Sequence, residues 1–202
     1  AAKAERLGRG HAERLLPLID ECLAAASLSY DDLSKVAVTT GPGTFTGLRV
    51  GLSVARGLAL ALNLPCVGLS GLQVHAASAA NKLGCDTVYA VIGGRGGQVF
   101  MQKFSGSSQL PTALGEAENL DLDVAIEQVK AGACMVVGSH EEVIGRFRES
   151  GLSTLFLEAI DVAMLGRLAH DLSPEIYPPE PLYLRAADAK KAVPLLPIEQ
   201  TS

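Results

Sequence analysis

Hydrophobic and polar positions along the chain alternate with two different periods. Residues 11–26 carry Leu15, Ile19, Cys22 and Ala26 on one stripe, with Leu16 and Leu23 beside it and Glu13, Arg14, Asp20 and Glu21 opposite. That spacing predicts an amphipathic helix. Pro17 falls about a turn and a half in and is expected to kink the helix or make its first turn irregular. A polar stretch, 27–34, follows, then a short apolar run at 35–39 that reads as a buried strand. Gly41, Pro42 and Gly43 break the strand. Thr44 or Thr46 then caps a long helix reaching Leu62, and Asn63 and Pro65 end it. Residues 66–69 form a second short strand, and Ser70 or Gly71 opens a helix to about Lys82.

The second half starts differently. Residues 87–92 and 98–104 read as two strands joined by the flexible connection Gly93-Gly94-Arg95-Gly96-Gly97. A third strand is placed between Ser108 and Leu114. Then follow a helix at 121–131, a strand at 134–137, a helix at 141–150, a strand at 154–157 and a helix at 159–172. Residues 174–181 hold four prolines and read as an extended linker. The tail after it carries Leu182, Tyr183 and Leu184, apolar enough to dock on a surface. Both halves thus contain helix-strand-helix-strand-helix, and the second adds strands in front. The duplication points to two similar α/β domains, 1–84 and 85–173, followed by linker and tail, 174–202. The first lacks the opening strands, and two short strands alone make a poorly buried sheet.

Composition narrows the class. The chain has 202 residues, 48% hydrophobic and 19% charged, with a net charge of −5. This is a globular composition, and the acidic balance disfavours independent nucleic-acid binding, which draws on a basic excess. The apolar stretch 50–62 is interrupted by Arg56 and glycines and is read as too short and too broken for a membrane span; no signal-peptide layout opens the sequence. Cys22, Cys66, Cys85 and Cys134 are far apart among apolar or small neighbours. Reduced, buried thiols in a cytoplasmic setting are expected.

The sharpest motif is Gly41-Pro42-Gly43-Thr44-Phe45-Thr46-Gly47-Leu48-Arg49. A glycine-rich turn feeding a helix N-terminus binds anions through free N–H groups and the helix dipole, so Gly41, Gly43 and Thr44 are candidates for a phosphate-binding turn. No Lys-Ser or Lys-Thr follows, and the register is not that of a dinucleotide fingerprint. A tight turn packing a helix onto a sheet explains the same residues. The helix behind it is apolar on more than one face. Gly47 and Gly51 leave a shallow groove; Leu48, Leu52, Ala55 and Ala59 line a neighbouring face; Arg49, Ser53 and Arg56 form a polar strip. Such a helix needs cover on both sides, from its own sheet and first helix or from a partner helix. His11, His75, His140 and His170 include no pair with metal-ligand spacing on a helix, so no metal site is expected. No GxSxG nucleophile elbow occurs, and Ser70 has no marked base partner. No catalytic residue is assigned.

These motifs resemble the TsaB (YeaZ) family, bacterial proteins that help make threonylcarbamoyladenosine in tRNA. The resemblance rests on 9–19 (RGHAERLLPLI), 41–51 (GPGTFTGLRVG), 55–59 (ARGLA), 68–72 (GLSGL) and 181–186 (PLYLRA). It is dense from Arg9 to about Ala76 and sparse through the second half. It implies an α/β fold of two related actin/Hsp70-ATPase-like (ribonuclease H-like) domains, the first without its N-terminal strands in this chain. It further implies a relative of the TsaD threonylcarbamoyl transferase without chemistry of its own. Such a chain binds and activates a TsaD-like transferase beside a TsaE-like ATPase, reaches tRNA only through the complex, forms a homodimer in isolation and has no membrane partner. No cofactor is expected on the chain alone, with ATP or ADP placed at a partner interface. The partner surface is expected to be the two helices 11–26 and 45–62 side by side, through Leu15, Ile19, Cys22, Gly47, Leu48, Gly51, Leu52 and Ala55. An ATPase of the sugar-kinase/Hsp70 superfamily and an M22-type glycoprotease are the competing readings.

Overall fold

The structure, a computed structural model, describes residues 1–5, 10–106, 110–132 and 134–184. Helix α1 spans His11–Ala26 and runs unbroken through Pro17, so the proline expected to disturb it does not interrupt the helix. After a 3-10 turn come β1 (Val36–Thr39), α2 (Phe45–Leu62), β2 (Cys66–Leu69) and α3 (Gly71–Leu83). Local chemistry fixes the starts. The Thr44 side chain accepts from the Gly47 N–H at 3.3 Å and Ser70 from the Gln73 N–H at 3.0 Å, each satisfying a donor that the helix leaves free. Asn63 ends α2 in the left-handed region, φ 53°.

The second half holds β3 (Thr87–Gly93), β4 (Gln98–Ser105), β5 (Glu118–Asp121), α4 (Leu122–Lys130), β6 (Met135–Gly138), α5 (Glu141–Glu149), β7 (Thr154–Phe156) and α6 (Val162–His170). The strands form one sheet in the order β5-β4-β3-β6-β7. β3 is antiparallel to β4 and parallel to β6. The third strand expected between Ser108 and Leu114 is instead β5, at Glu118–Asp121. Of the described part of the earlier stretch, 110–114, only Ala113 forms an isolated bridge, to Phe104; 108 and 109 lie outside the described residues. Periodicity fails there because β5 is short and polar and is defined by its pairing with β4. Helix α6 starts later than the expected residue 159, where Asp161 caps it by accepting from the Met164 N–H at 2.9 Å.

Among the described residues before α3, only β1 and β2 are strands, a parallel pair in register Val36 with Cys66 to Thr39 with Leu69. Two strands cannot close a core, and the chain solves this by exchanging helices between its halves. Met164, Leu165, Leu168 and Ala169 of α6 pack with Val67 and Leu69 of β2 and with Val74 and Ala77 of α3. Leu72, Ala76 and Ala79 of α3 pack with Val88 and Ala90 of β3 and Val137 of β6. Helix α3 is thus held between both sheets. Its run of Ala76, Ala77, Ser78 and Ala79 is buried throughout, small side chains that let it lie close to each neighbour. Helices α4 and α5 cover the far face of the larger sheet around Ile144 and Phe147. The packing therefore crosses residue 84, where the sequence divides.

Candidate partner-binding surface

The turn between β1 and α2 is a junction of three elements. Its Gly41–Pro42 peptide is cis and Gly41 sits at φ 112°, where only glycine is unstrained. The Gly71 N–H of α3 donates to the Gly41 carbonyl at 2.7 Å, and the Leu182 N–H donates to the Thr40 carbonyl at 2.8 Å. A side chain at Gly41 would meet the Leu182 carbonyl and Leu48. Of the candidate phosphate-turn residues, Gly41 is buried in this packing, whereas Gly43 and Thr44 are exposed.

The proline-rich segment lies along the sheet edge. The Gly68 N–H of β2 donates to the Tyr177 carbonyl at 2.9 Å, and a methyl group on Gly68 would strike Thr40, the Pro178 carbonyl and Pro179 Cα. Residues 177–184 form a strap that runs from β2 to the start of α2. There Tyr183 meets Phe45 with ring centroids 5.6 Å apart, and the Arg49 guanidinium sits 3.7 Å from the centre of the Phe45 ring. The expected docking of the tail is seen through Leu182 and Tyr183; 185–190 lies outside the described residues.

Helix α2 packs on α1, β1 and β2, as the expected side-by-side arrangement of the two helices requires. Only Leu52, Ala55 and Ala59 of its 18 residues are buried. Leu52 and Ala55 join Val38 in the chain's own core, backed by Val36 and Cys66. That corrects their assignment to a partner surface: the sheet already covers them. Leu15, Ile19, Cys22, Leu48 and Gly51 are half-buried and Gly47 is exposed. The space above Gly51 is open: a methyl group added there would meet no atom within 4 Å. By length and composition α2 suffices for a membrane span. The reading of 50–62 as too short missed this because the helix begins five residues earlier, at Phe45.

The face of α2 turned outward is the one that sequence reasoning recorded only as a polar strip. Phe45, Arg49, Ser53, Arg56 and Leu60 fall within about 80° of one another at 100° per residue, and all are exposed, Leu60 at 85%. The missed signal is that Phe45 and Leu60 share the stripe of the two arginines. Beside it, α1 carries an internally matched set of charges. Arg14 pairs with both Glu5 and Glu21, and Lys3 with Glu21. The Arg14 and Lys3 hydrogen bonds hold the Glu21 carboxyl down at about 2. Asp20 accepts from the Tyr30 hydroxyl at 2.7 Å, and this bond raises the tyrosine's pKa above its ordinary value.

No histidine lies on this surface among the described side chains; that of His11 lies outside them. His75 is fully buried in α3, with Nε2 3.1 Å from the Ser139 hydroxyl. Its Nδ1 has no partner, and burial lowers its pKa to about 4. Among the described residues no group of three His, Cys, Asp or Glu side chains is arranged to hold a metal.

Comparison with known proteins places this architecture. Residues 5–164 match the family described as TsaD, tRNA N6-adenosine threonylcarbamoyltransferase. The TsaB threonylcarbamoyladenosine biosynthesis protein of Escherichia coli K12 is 38% identical over 103 residues, 51% of this chain and 45% of that protein. A tRNA N6-adenosine threonylcarbamoyltransferase of Polynucleobacter asymbioticus is 45% identical over 71 residues, 35% of this chain and 20% of that one. The aligned part spans about half the length of the TsaB relatives. The solved structure of YeaZ from Pseudomonas aeruginosa superposes with a TM-score of 0.68 at 25% identity, over 86% of this chain and 85% of that one. A second structure from that organism, described as similar to peptidase YEAZ, also gives 0.68, at 26% identity over 90% and 87%. With its mixed α/β fold and exchanged helices, the chain belongs to the TsaD-type family of tRNA N6-adenosine threonylcarbamoyltransferases, and within it to the TsaB (YeaZ) group.

Proposed function

We propose that this chain acts in the biosynthesis of threonylcarbamoyladenosine in bacterial tRNA as a non-catalytic partner that binds and activates a TsaD-type transferase. The observation that carries the reading is α2. It is a mostly apolar 18-residue helix of which the chain buries three residues, and it lies beside α1 with Phe45 and Leu60 open to solvent. An apolar helix face left uncovered is a docking face. The family membership supplies the partner's class. On this reading the two helices form a helix-on-helix contact with the transferase, and the same surface supports a two-fold homodimer when the transferase is absent. A TsaE-type ATPase joins the assembly, ATP or ADP binds at a partner interface, tRNA is engaged by the complex, and the setting is cytoplasmic. The inner face of α2 packs on the sheet and Arg49 and Arg56 lie mid-stripe, which suits a protein neighbour better than a bilayer.

The test is reconstitution of threonylcarbamoyladenosine synthesis on unmodified tRNA with a TsaD-type transferase, a TsaE-type ATPase and a threonylcarbamoyl donor, with this chain present or omitted. Modified nucleoside, read by mass spectrometry, is expected only when the chain is present. Equal product without it, or ATP hydrolysis by the chain alone at the rate of the full mixture, overturns the reading.

A further inference from the structure

The sequence is acidic overall, at net −5, yet residues 33–85 contain no Asp or Glu while carrying Lys35, Arg49, Arg56 and Lys82. Lys35 is consumed inside the fold, where its ammonium donates to three carbonyls of the α6 end. Arg49 and Arg56 face outward on α2, and no described carboxylate forms an ion pair with either. They are seven residues apart, two turns or about 10 Å along the axis. Phe45 and Tyr183 flank one end of the stripe and Leu60 the other.

We propose that this stripe docks a helical protein surface carrying two carboxylates about two turns apart, in preference to a second copy of this chain. The proposal rests on the reading of the chain as a partner protein and names the chemistry of that partner. Apolar contacts to Phe45, Tyr183 and Leu60 hold the two surfaces together, and the arginines set register and choice of partner.

The symmetry of a self-contact supplies the preference. Two copies related by a two-fold axis present the same stripe to each other. An axis passing between Leu52 and Ser53 sets Arg49 against Arg56 of the other copy, twice. Shifting the axis sets an arginine against itself. Because α2 has no acid, no placement of α2 on its own copy yields an opposite-charge pair. Of the acids on α1 and the turn after it, Glu21 is engaged by Arg14 and Lys3, Asp20 by Tyr30 and Asp32 by Ser29; Glu13 and Asp31 are exposed but lie off α2. An acidic helix removes the repulsion and gains two charge-assisted pairs. RNA phosphate also attracts arginine, but two arginines interleaved with apolar side chains on a chain of net −5 suit a protein face better.

The experiment measures binding of the full chain to the TsaD-type transferase of the same organism, and self-association of the chain alone, each at low and high salt. Wild-type affinity for the transferase is expected to fall as salt rises from about 50 to about 500 mM, whereas self-association rises over the same range. The double variant Arg49→Glu with Arg56→Glu is expected to bind the transferase about tenfold more weakly at low salt. The single variant Arg49→Glu is expected to self-associate more tightly than wild type, since each introduced carboxylate would then face Arg56 of the other copy. Both sites are exposed, so circular dichroism should show an unchanged fold. A wild-type complex that forms but is indifferent to both the double variant and salt overturns this inference and leaves the partner reading standing. Absence of any wild-type complex overturns both. Weakened binding of isolated tRNA by the double variant, with transferase affinity unchanged, makes the stripe an RNA contact and overturns the proposal.

Discussion

Lys35 caps a helix that begins more than a hundred residues later: its ammonium donates to the Ala169 carbonyl at 3.0 Å and also reaches His170 and Leu172 at 2.6 and 2.7 Å. The last carbonyls of α6 have no partners within the helix, and a cation there also complements the negative end of its dipole. One side chain thus joins the start of β1 to the helix that supplies the smaller sheet's missing cover. Lys35→Met keeps the aliphatic stem and removes the donor. It is expected to lower stability by about 2 kcal/mol, since hydrogen bonds from a charged group carry about 1.5–3 kcal/mol. Urea unfolding of both forms at neutral pH checks this, and an unchanged midpoint would show that water replaces the ammonium without cost.

His75 gives the fold an acid limit. Buried among the cores of both halves, it is kept neutral, its pKa lowered to about 4 from 6.5. The unfolded chain takes up a proton near 6.5 and the folded chain only near 4, so more protons bind to the unfolded state between those values. Stability is therefore complete above about pH 6.5, declines as pH falls, and the loss levels off below about 4 at roughly 3 kcal/mol by linkage. His75→Gln retains a polar group toward Ser139 without titrating there. Unfolding midpoints from pH 7 to 4 should fall less steeply for this variant than for wild type; parallel curves would remove His75 as the source.

Leu52 and Leu60 are two turns apart on α2 but have opposite surroundings, 4% against 85% exposed. Leu52→Ala empties a site between Val38 and Ala55 and is expected to cost about 3 kcal/mol, as buried leucine truncations do. Leu60→Ala should leave stability within about 0.5 kcal/mol and weaken transferase binding. Thermal unfolding with a binding titration separates the two. If Leu52→Ala left stability intact and cut binding, Leu52 would belong to the partner face after all.

The sequence by itself determined what local chemistry decides. The apolar periods located the six α-helices of the described residues, because a helix signals its buried face within two or three turns. Thr44 and Ser70 marked the starts of α2 and α3 because a cap acts across three residues, whereas the expected start of α6, 159, falls ahead of its cap Asp161. The repeated helix-strand-helix-strand-helix order was legible for the same reason, and the GPGTFTGLR run with the motifs around it carried the family. Strand β5 was not, since a short polar strand is defined by the neighbour it pairs with. Tertiary structure alone decided which face of α2 turns outward. Leu52 and Leu60 are equally apolar in sequence and are told apart only when β1 takes the Leu52 side and leaves Leu60 outside. It decided too that α3 lies between both sheets and α6 crosses to the smaller one, that Lys35 finds α6, and that His75 meets Ser139. Each of these joins residues far apart in the chain, and no local preference encodes such a choice: it is made by which arrangement buries the most apolar surface while leaving the fewest polar groups unpaired.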